Sequence, residues 1–87
     1  MANIGTDELV KEMNTNLEQC KEMSHRAHGR IEKLATMSFE MEDHLKQKEF
    51  ADRVTELFSI SNTFESKLES FIHDYELERN RLENETA

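Results

Sequence analysis

Uncharged residues recur at alternating spacings of three and four in the first half of the chain, and this repeat limits the chain to long helices with partners. The series is Val10, Met13, Leu17, Cys20, Ser24, Ala27, Ile31, Leu34, Ser38, Met41 and Leu45. Its mean spacing of about 3.5 residues is the heptad repeat of a coiled coil. Thr6 is the predicted N-cap, because Asp7 and Glu8 then occupy the first turn, where the helix dipole favours acids. The pattern predicts a first coiled-coil helix over residues 6–47.

A second series with the same spacings begins five residues after Leu45, so the apolar stripe changes side between Lys46 and Glu49. It comprises Phe50, Val54, Leu57, Ser61, Phe64, Leu68, Phe71, Tyr75, Glu78 and Leu82. It predicts a second coiled-coil helix or a continuation over residues 48–84, with flexible termini at 1–5 and 85–87. No helix breaker lies between residues 46 and 49, so a turn and one continuous helix remain alternatives. Residues 58–63 are weak helix formers, but the series crosses them in phase, which favours a soft point within a helix.

Composition agrees with an all-α fold. The 87 residues are 34% charged and 36% hydrophobic, without Pro and with Gly only at positions 5 and 29. One cysteine allows no disulfide framework, and a chain this short buries only about 60–65% of its unfolded surface. The fold prediction is therefore one or two long helices that form an extended coiled coil or helical bundle with partner chains.

Additional apolar residues flank both series and widen the stripe beyond that of a two-helix zipper, which is typical of a helix in a bundle. They are Leu9, Met23, Met37, Phe58, Ile60 and Ile72. In a parallel homodimer the flanking charges would pair poorly, with Arg53 opposite Phe58 and Lys67 opposite Ile72. Because such charges normally set partner choice, the pattern favours unlike partners.

The larger apolar residues of the two series are the predicted partner-binding residues. They are Leu17, Ile31, Leu34, Met41, Leu45, Phe50, Val54, Leu57, Phe64, Leu68, Phe71 and Tyr75. The contact most sensitive to mutation is expected between Phe50 and Tyr75, where aromatic residues are dense. Residues 49–87 carry ten acids and four bases, a net charge of −6, against nine and seven, or −2, for residues 1–48. That acidity predicts a partner helix with basic flanks.

No residue pattern predicts catalysis, a cofactor or a metal. Cys20 lies in the first series without a pocket to activate it. Glu22 and His25 form a single Glu-x-x-His pair, whereas a di-metal bundle needs two such motifs and further inward carboxylates. The chain also lacks a glycine-rich phosphate loop. We therefore expect no enzymatic activity and no small-molecule ligand.

Charge and hydropathy restrict the partners further. A net charge of −8 argues against nucleic acid, which is bound by basic surfaces. No apolar run approaches the roughly 20 residues that span a bilayer, so no direct membrane insertion is expected. The N-terminus does not resemble a signal peptide, and a single cysteine fits a reducing compartment. The predicted location is cytoplasmic, with association to an organelle through partners and the nucleus left open.

The expected function is that of a non-enzymatic helical subunit or adaptor that binds other helical subunits of a hetero-oligomeric complex. In general form the chain looks like the helical subunits of rod-shaped adaptor and tethering complexes in endosomal and lysosomal trafficking. The alternatives are a homo-oligomeric coiled-coil regulator and a subunit of a kinetochore or cytoskeletal assembly.

Overall fold

The chain folds into an antiparallel hairpin of two long α-helices. The computed structural model describes residues 5–86, apart from the side chain of Thr86. Helix α1 spans Thr6–Asp43 and helix α2 spans Lys48–Thr86. The helices pack along their length in a rod of 60 × 25 × 14 Å. The all-α prediction is confirmed, and the hairpin, rather than one continuous helix, is the alternative that the structure adopts.

The outer ends of the helices lie close to the predicted limits. Gly5 is the N-cap of α1, with extended backbone angles of φ −64° and ψ 154°, so Thr6 is the first helical residue rather than the cap. Asp7 and Glu8 occupy the first turn, as predicted. Of the two termini expected to be flexible, residues 1–4 and 87 lie outside the described residues. Glu85 and Thr86 belong to α2.

Residues 44–47 reverse the chain without Gly or Pro. The amides of His44 and Leu45 both donate to the carbonyl of Glu40, at 2.9 and 3.0 Å. Lys46 then adopts a left-handed conformation, φ 55°, which costs a residue other than glycine about 1–2 kcal/mol. The amide of Gln47 donates to the carbonyl of Met41 at 2.7 Å. These bonds satisfy carbonyls at the end of α1 and direct α2 back along it.

The first heptad series forms the α1 side of the hairpin core. Its members from Val10 to Met41 are all buried or half-buried, and Leu17 is only 2% exposed. Leu45 is exposed because it lies in the turn. Burial of a side chain such as Leu17 contributes about 1.5–3 kcal/mol.

Helix α2 packs in a register that differs from the second series. The positions turned toward α1 are Ala51, Val54, Phe58, Ser61, Glu65, Leu68, Ile72, Tyr75, Arg79 and Leu82. Every second member is shared with the predicted series. The remaining members of the predicted series each lie one residue before a position that faces α1. Among them, Phe50, Leu57, Phe64 and Phe71 are exposed. The helix is continuous through residues 58–63.

Hydrogen bonds and ion pairs close one edge of the interface between the helices. Ser38 Oγ donates to the carbonyl of Ala51 at 3.1 Å. Arg79 donates to Asn14 Oδ1 at 3.0 Å. These contacts, together with the ion pair of Lys21 and Glu76 at 3.5 Å, fix the antiparallel register. We call this edge the polar side.

A buried carboxylate interrupts the apolar core on the polar side. Glu65 is 8% exposed, and its Oε1 lies 3.0 Å from His28 Nδ1. The His28 side chain is itself largely exposed and lies 3.7 Å from Glu32. A buried ion pair seldom recovers its full desolvation cost, so we expect Glu65 to add little to the stability of the hairpin.

Replacement of Glu65 by leucine is expected to stabilise the hairpin by about 1–2 kcal/mol. The substitution removes a buried charge, and the imidazole left behind is exposed to water. Thermal unfolding followed by circular dichroism would measure the change. Glu56→Leu, at an exposed position of the same helix, should leave the midpoint nearly unchanged. A lower midpoint for Glu65→Leu would show that the His28 contact outweighs the desolvation cost.

Candidate helix-binding face

The edge of the interface opposite the polar side carries exposed apolar residues from both helices. Those of α2 lie seven residues apart along one line. The members are Leu9, Met23 and Met37 of α1 and Phe50, Leu57, Phe64 and Phe71 of α2, each between 37% and 54% exposed. We call this set the apolar face. Exposed apolar residues grouped in this way often mark a site of interaction with another protein.

Two contacts place the contributions of α1 and α2 on the same edge. Asn16, which shares the heptad position of Leu9 and Met23, donates to the Tyr75 hydroxyl at 3.4 Å. At the turn end, Met41 lines an open concavity together with Phe50 and Leu57. In an antiparallel pair, equivalent flanking positions of the two helices lie on the same edge. The apolar face therefore lies along one edge of the interface, and at the turn end it borders a groove between the helices.

The aromatic rings of the face have defined contacts within α2. Phe71 stacks on Tyr75 with ring centroids 5.2 Å apart and an angle of 19° between the planes. The guanidinium of Arg53 lies 5.8 Å from the centre of the Phe50 ring. Such contacts orient large apolar rings and reduce the side-chain entropy lost when another surface covers them.

The core is incompletely covered beneath this face. Leu34 and Met41 of α1, and Leu68 and Tyr75 of α2, are only half-buried although they lie in the interface. Ile60 is exposed beside Leu57 and Phe64. A third helix in the groove would cover these residues together with the apolar face, as in a helical bundle.

The charges that border the apolar face are basic, unlike those of the chain as a whole. Five bases occupy its bordering positions over residues 23–37 and 50–71, and no acid does so there: Arg26, Arg30, Lys33, Arg53 and Lys67. All five are exposed. Arg26 pairs with Glu22 at 2.6 Å. The prediction of a partner with basic flanks rested on the total number of acids in α2. Many of those acids lie on sides of the helix away from the apolar face.

Acids border only the ends of the face, at Glu12, Glu40, Asp74 and Glu78. Arg81 lies at one end between Glu78 and Glu85 and pairs with both. The hydrogen bond and the charge of Glu78 raise the pKa of Arg81. This cation is engaged within its own helix, which leaves the basic character of the face concentrated at its centre.

The structure divides the predicted partner-binding residues into two groups. In the hairpin interface are Leu17, Ile31, Leu34, Met41, Val54, Leu68 and Tyr75. Outside it are Leu45 in the turn and Phe50, Leu57, Phe64 and Phe71 on the apolar face. Sequence reasoning missed Glu65 and the basic border. The seven-residue spacing of Arg53, Ile60 and Lys67 parallel to Phe50, Leu57 and Phe64 could have indicated that border.

The described residues contain no cluster of three or more His, Cys, Asp or Glu side chains that could hold a metal ion. Cys20 is half-buried in the interface. Within the same described range, neither helix is long and apolar enough to cross a membrane.

Geometry and exposure together define a helical hairpin with an open apolar groove along the apolar face at its turn end. Comparisons with protein-family models, curated proteins and solved structures found no match for the chain.

Proposed function

We propose that this chain is a non-enzymatic subunit of a hetero-oligomeric complex and binds a helical partner through the apolar face. The observation that supports this most is the line of Phe50, Leu57, Phe64 and Phe71 outside the hairpin core. Their seven-residue spacing matches the repeat by which one helix packs on another. Each of these side chains is large enough to contribute strongly to an interface once covered.

The hairpin core and the apolar face have separate roles in this proposal. Leu17, Ile31 and Ile72 hold the two helices together, whereas the exposed aromatic residues are left for the partner. The chain would then be a preformed two-helix element that a third helix completes. Rigid presentation of the face lowers the ordering cost of binding compared with a disordered segment.

Site-specific photo-crosslinking tests the proposal in cells that express the full chain. A photoreactive amino acid at Ile60, beside Leu57 and Phe64 on the apolar face, is expected to crosslink a discrete helical protein. The same group at Ser59, the preceding residue on another side of α2, should yield little of that product. Both positions are exposed, so they differ in direction rather than in accessibility.

A further variant separates specific docking from general hydrophobic adhesion. Phe64→Asp combined with the Ile60 crosslinker should abolish the product, because it places a charge within the covered surface. Equal products from positions 59 and 60, or a product that survives Phe64→Asp, would contradict the proposal.

A further inference from the structure

The basic border of the apolar face indicates the chemistry of the partner. We propose that the face binds an amphipathic helix of another protein whose apolar residues are flanked by Asp and Glu. This inference rests on the proposed function and specifies the occupant of the groove.

The charge distribution that supports this is uneven along and around the rod. The chain carries 11 bases and 19 acids, yet the central part of the face is bordered by five bases and no acid. Among the described residues, Arg30, Lys33 and Lys67 make no intramolecular ion pair. Acidic side chains on a helix in the groove would supply the missing partners. Complementary charge of this kind selects partners and speeds association.

A second copy of the chain is a poor occupant of the same groove. A two-fold contact presents the same patch from both copies. It would bring the five border bases of one chain against those of the other. The repulsion increases as the apolar face is covered and water is displaced. A partner with acidic flanks has no such penalty.

The spacing of the face favours a helix over a lipid surface. The apolar residues of α2 form a straight line at seven-residue intervals and border a groove that includes Met41 and Phe50. A groove between two helices accepts side chains from a third helix. An interfacial membrane helix instead presents a broad convex apolar side.

Two synthetic peptides provide the test with the full chain. Both are about four heptads long with Leu and Ile in the repeat, and they differ only in having Glu or Lys at the flanking positions. Fluorescence anisotropy measures the affinity of each for the hairpin. We expect the Glu-flanked peptide to bind at least about tenfold more tightly, and its advantage to shrink with added salt.

Charge reversal of the border provides the matched variant. Arg53→Glu with Lys67→Glu is expected to remove or invert the preference between the peptides. The control, Lys11→Glu with Lys48→Glu, changes the net charge equally at exposed positions away from the face and should retain the preference. Far-UV circular dichroism checks that both variants keep the helical hairpin.

Several results would overturn the inference while leaving the proposed function standing. They are equal binding of the two peptides, preference for the Lys-flanked peptide, or binding of neither peptide when the Ile60 crosslink to a partner is present. A dimer in sedimentation that Phe64→Asp dissociates would identify a second copy as the occupant. Phe64-dependent binding to vesicles of phosphatidylcholine with about a quarter phosphatidylserine would identify a lipid surface. If the crosslinking experiment itself fails, the proposed function fails with it.

Discussion

The variant Leu17→Asp is expected to unfold the hairpin at room temperature. Leu17 is 2% exposed in the α1–α2 interface, so the substitution removes a buried aliphatic side chain and introduces an unpaired charge. The lost side chain costs about 2–5 kcal/mol and the unpaired buried charge about 3–5 kcal/mol, together about 5–10 kcal/mol. A domain of this size has only about 5–10 kcal/mol of stability in total. Loss of the helical circular dichroism signal, together with expansion of the rod in small-angle scattering, would measure the effect.

The same change at two exposed leucines separates stability from binding. Leu77→Asp, which lies outside the interface on α2, should retain both the helical signal and partner binding. Leu57→Asp should keep the fold but lose the partner, because Leu57 belongs to the apolar face. Both leucines are slightly more than half exposed. A folded Leu17→Asp hairpin, or an unfolded Leu57→Asp hairpin, would show that the assignment of core and face is wrong.

The contrast between these leucines shows where sequence periodicity is informative. In α1 one set of positions, the first heptad series, is clearly more apolar than its neighbours. The structure buries or half-buries that set from Val10 to Met41. The helical period therefore sufficed to predict the α1 side of the core. In α2 the positions at seven-residue spacing from Phe50 are apolar through Phe71, whereas those from Ala51, which the structure turns toward α1, include Glu65 and Arg79. The helical period therefore favoured the Phe50 set over the set that faces α1 in the structure.

The geometry of the turn decides which of these two sets of α2 positions faces α1. The four-residue turn, with Lys46 in a left-handed conformation, sets which side of α2 first meets α1. That side presents Ala51, and the later positions follow from the helical repeat. Because the turn contains no Gly or Pro, local residue signals did not indicate it. The more hydrophobic set, which includes Phe50 and Phe64, consequently lies outside the hairpin core.

The charge distribution also depends on the fold. The total charge follows from the sequence, but the side of the hairpin on which each charge lies does not. The net charge of −6 for residues 49–87 was a correct sum, and it suggested a basic partner. On the folded hairpin, Arg53 and Lys67 lie beside the apolar face, while Glu56 and Glu69 lie on other sides of α2. The burial of Glu65 against His28 also depends on the register between helices, which no single-helix pattern contains.

Phe64→Ala is expected to weaken partner binding by about 2–4 kcal/mol, or roughly 30- to 1,000-fold, as for a central aromatic residue of an interface. Phe64 is 51% exposed in the isolated hairpin and lies between Leu57 and Phe71 on the apolar face, where a docked helix would cover it completely. Its truncation should change the free energy of unfolding by less than about 1 kcal/mol, because the ring contributes little to the hairpin core. Calorimetric titration with the partner that crosslinking identifies measures the affinity, and thermal unfolding of the free chain measures the stability.

Phe39→Ala is the matched control, since Phe39 is 70% exposed on α1 and borders the polar side next to Thr55 and Phe58. Equal loss of affinity in the two variants would place the partner elsewhere on the rod, and a large loss of stability in Phe64→Ala would return that ring to the core.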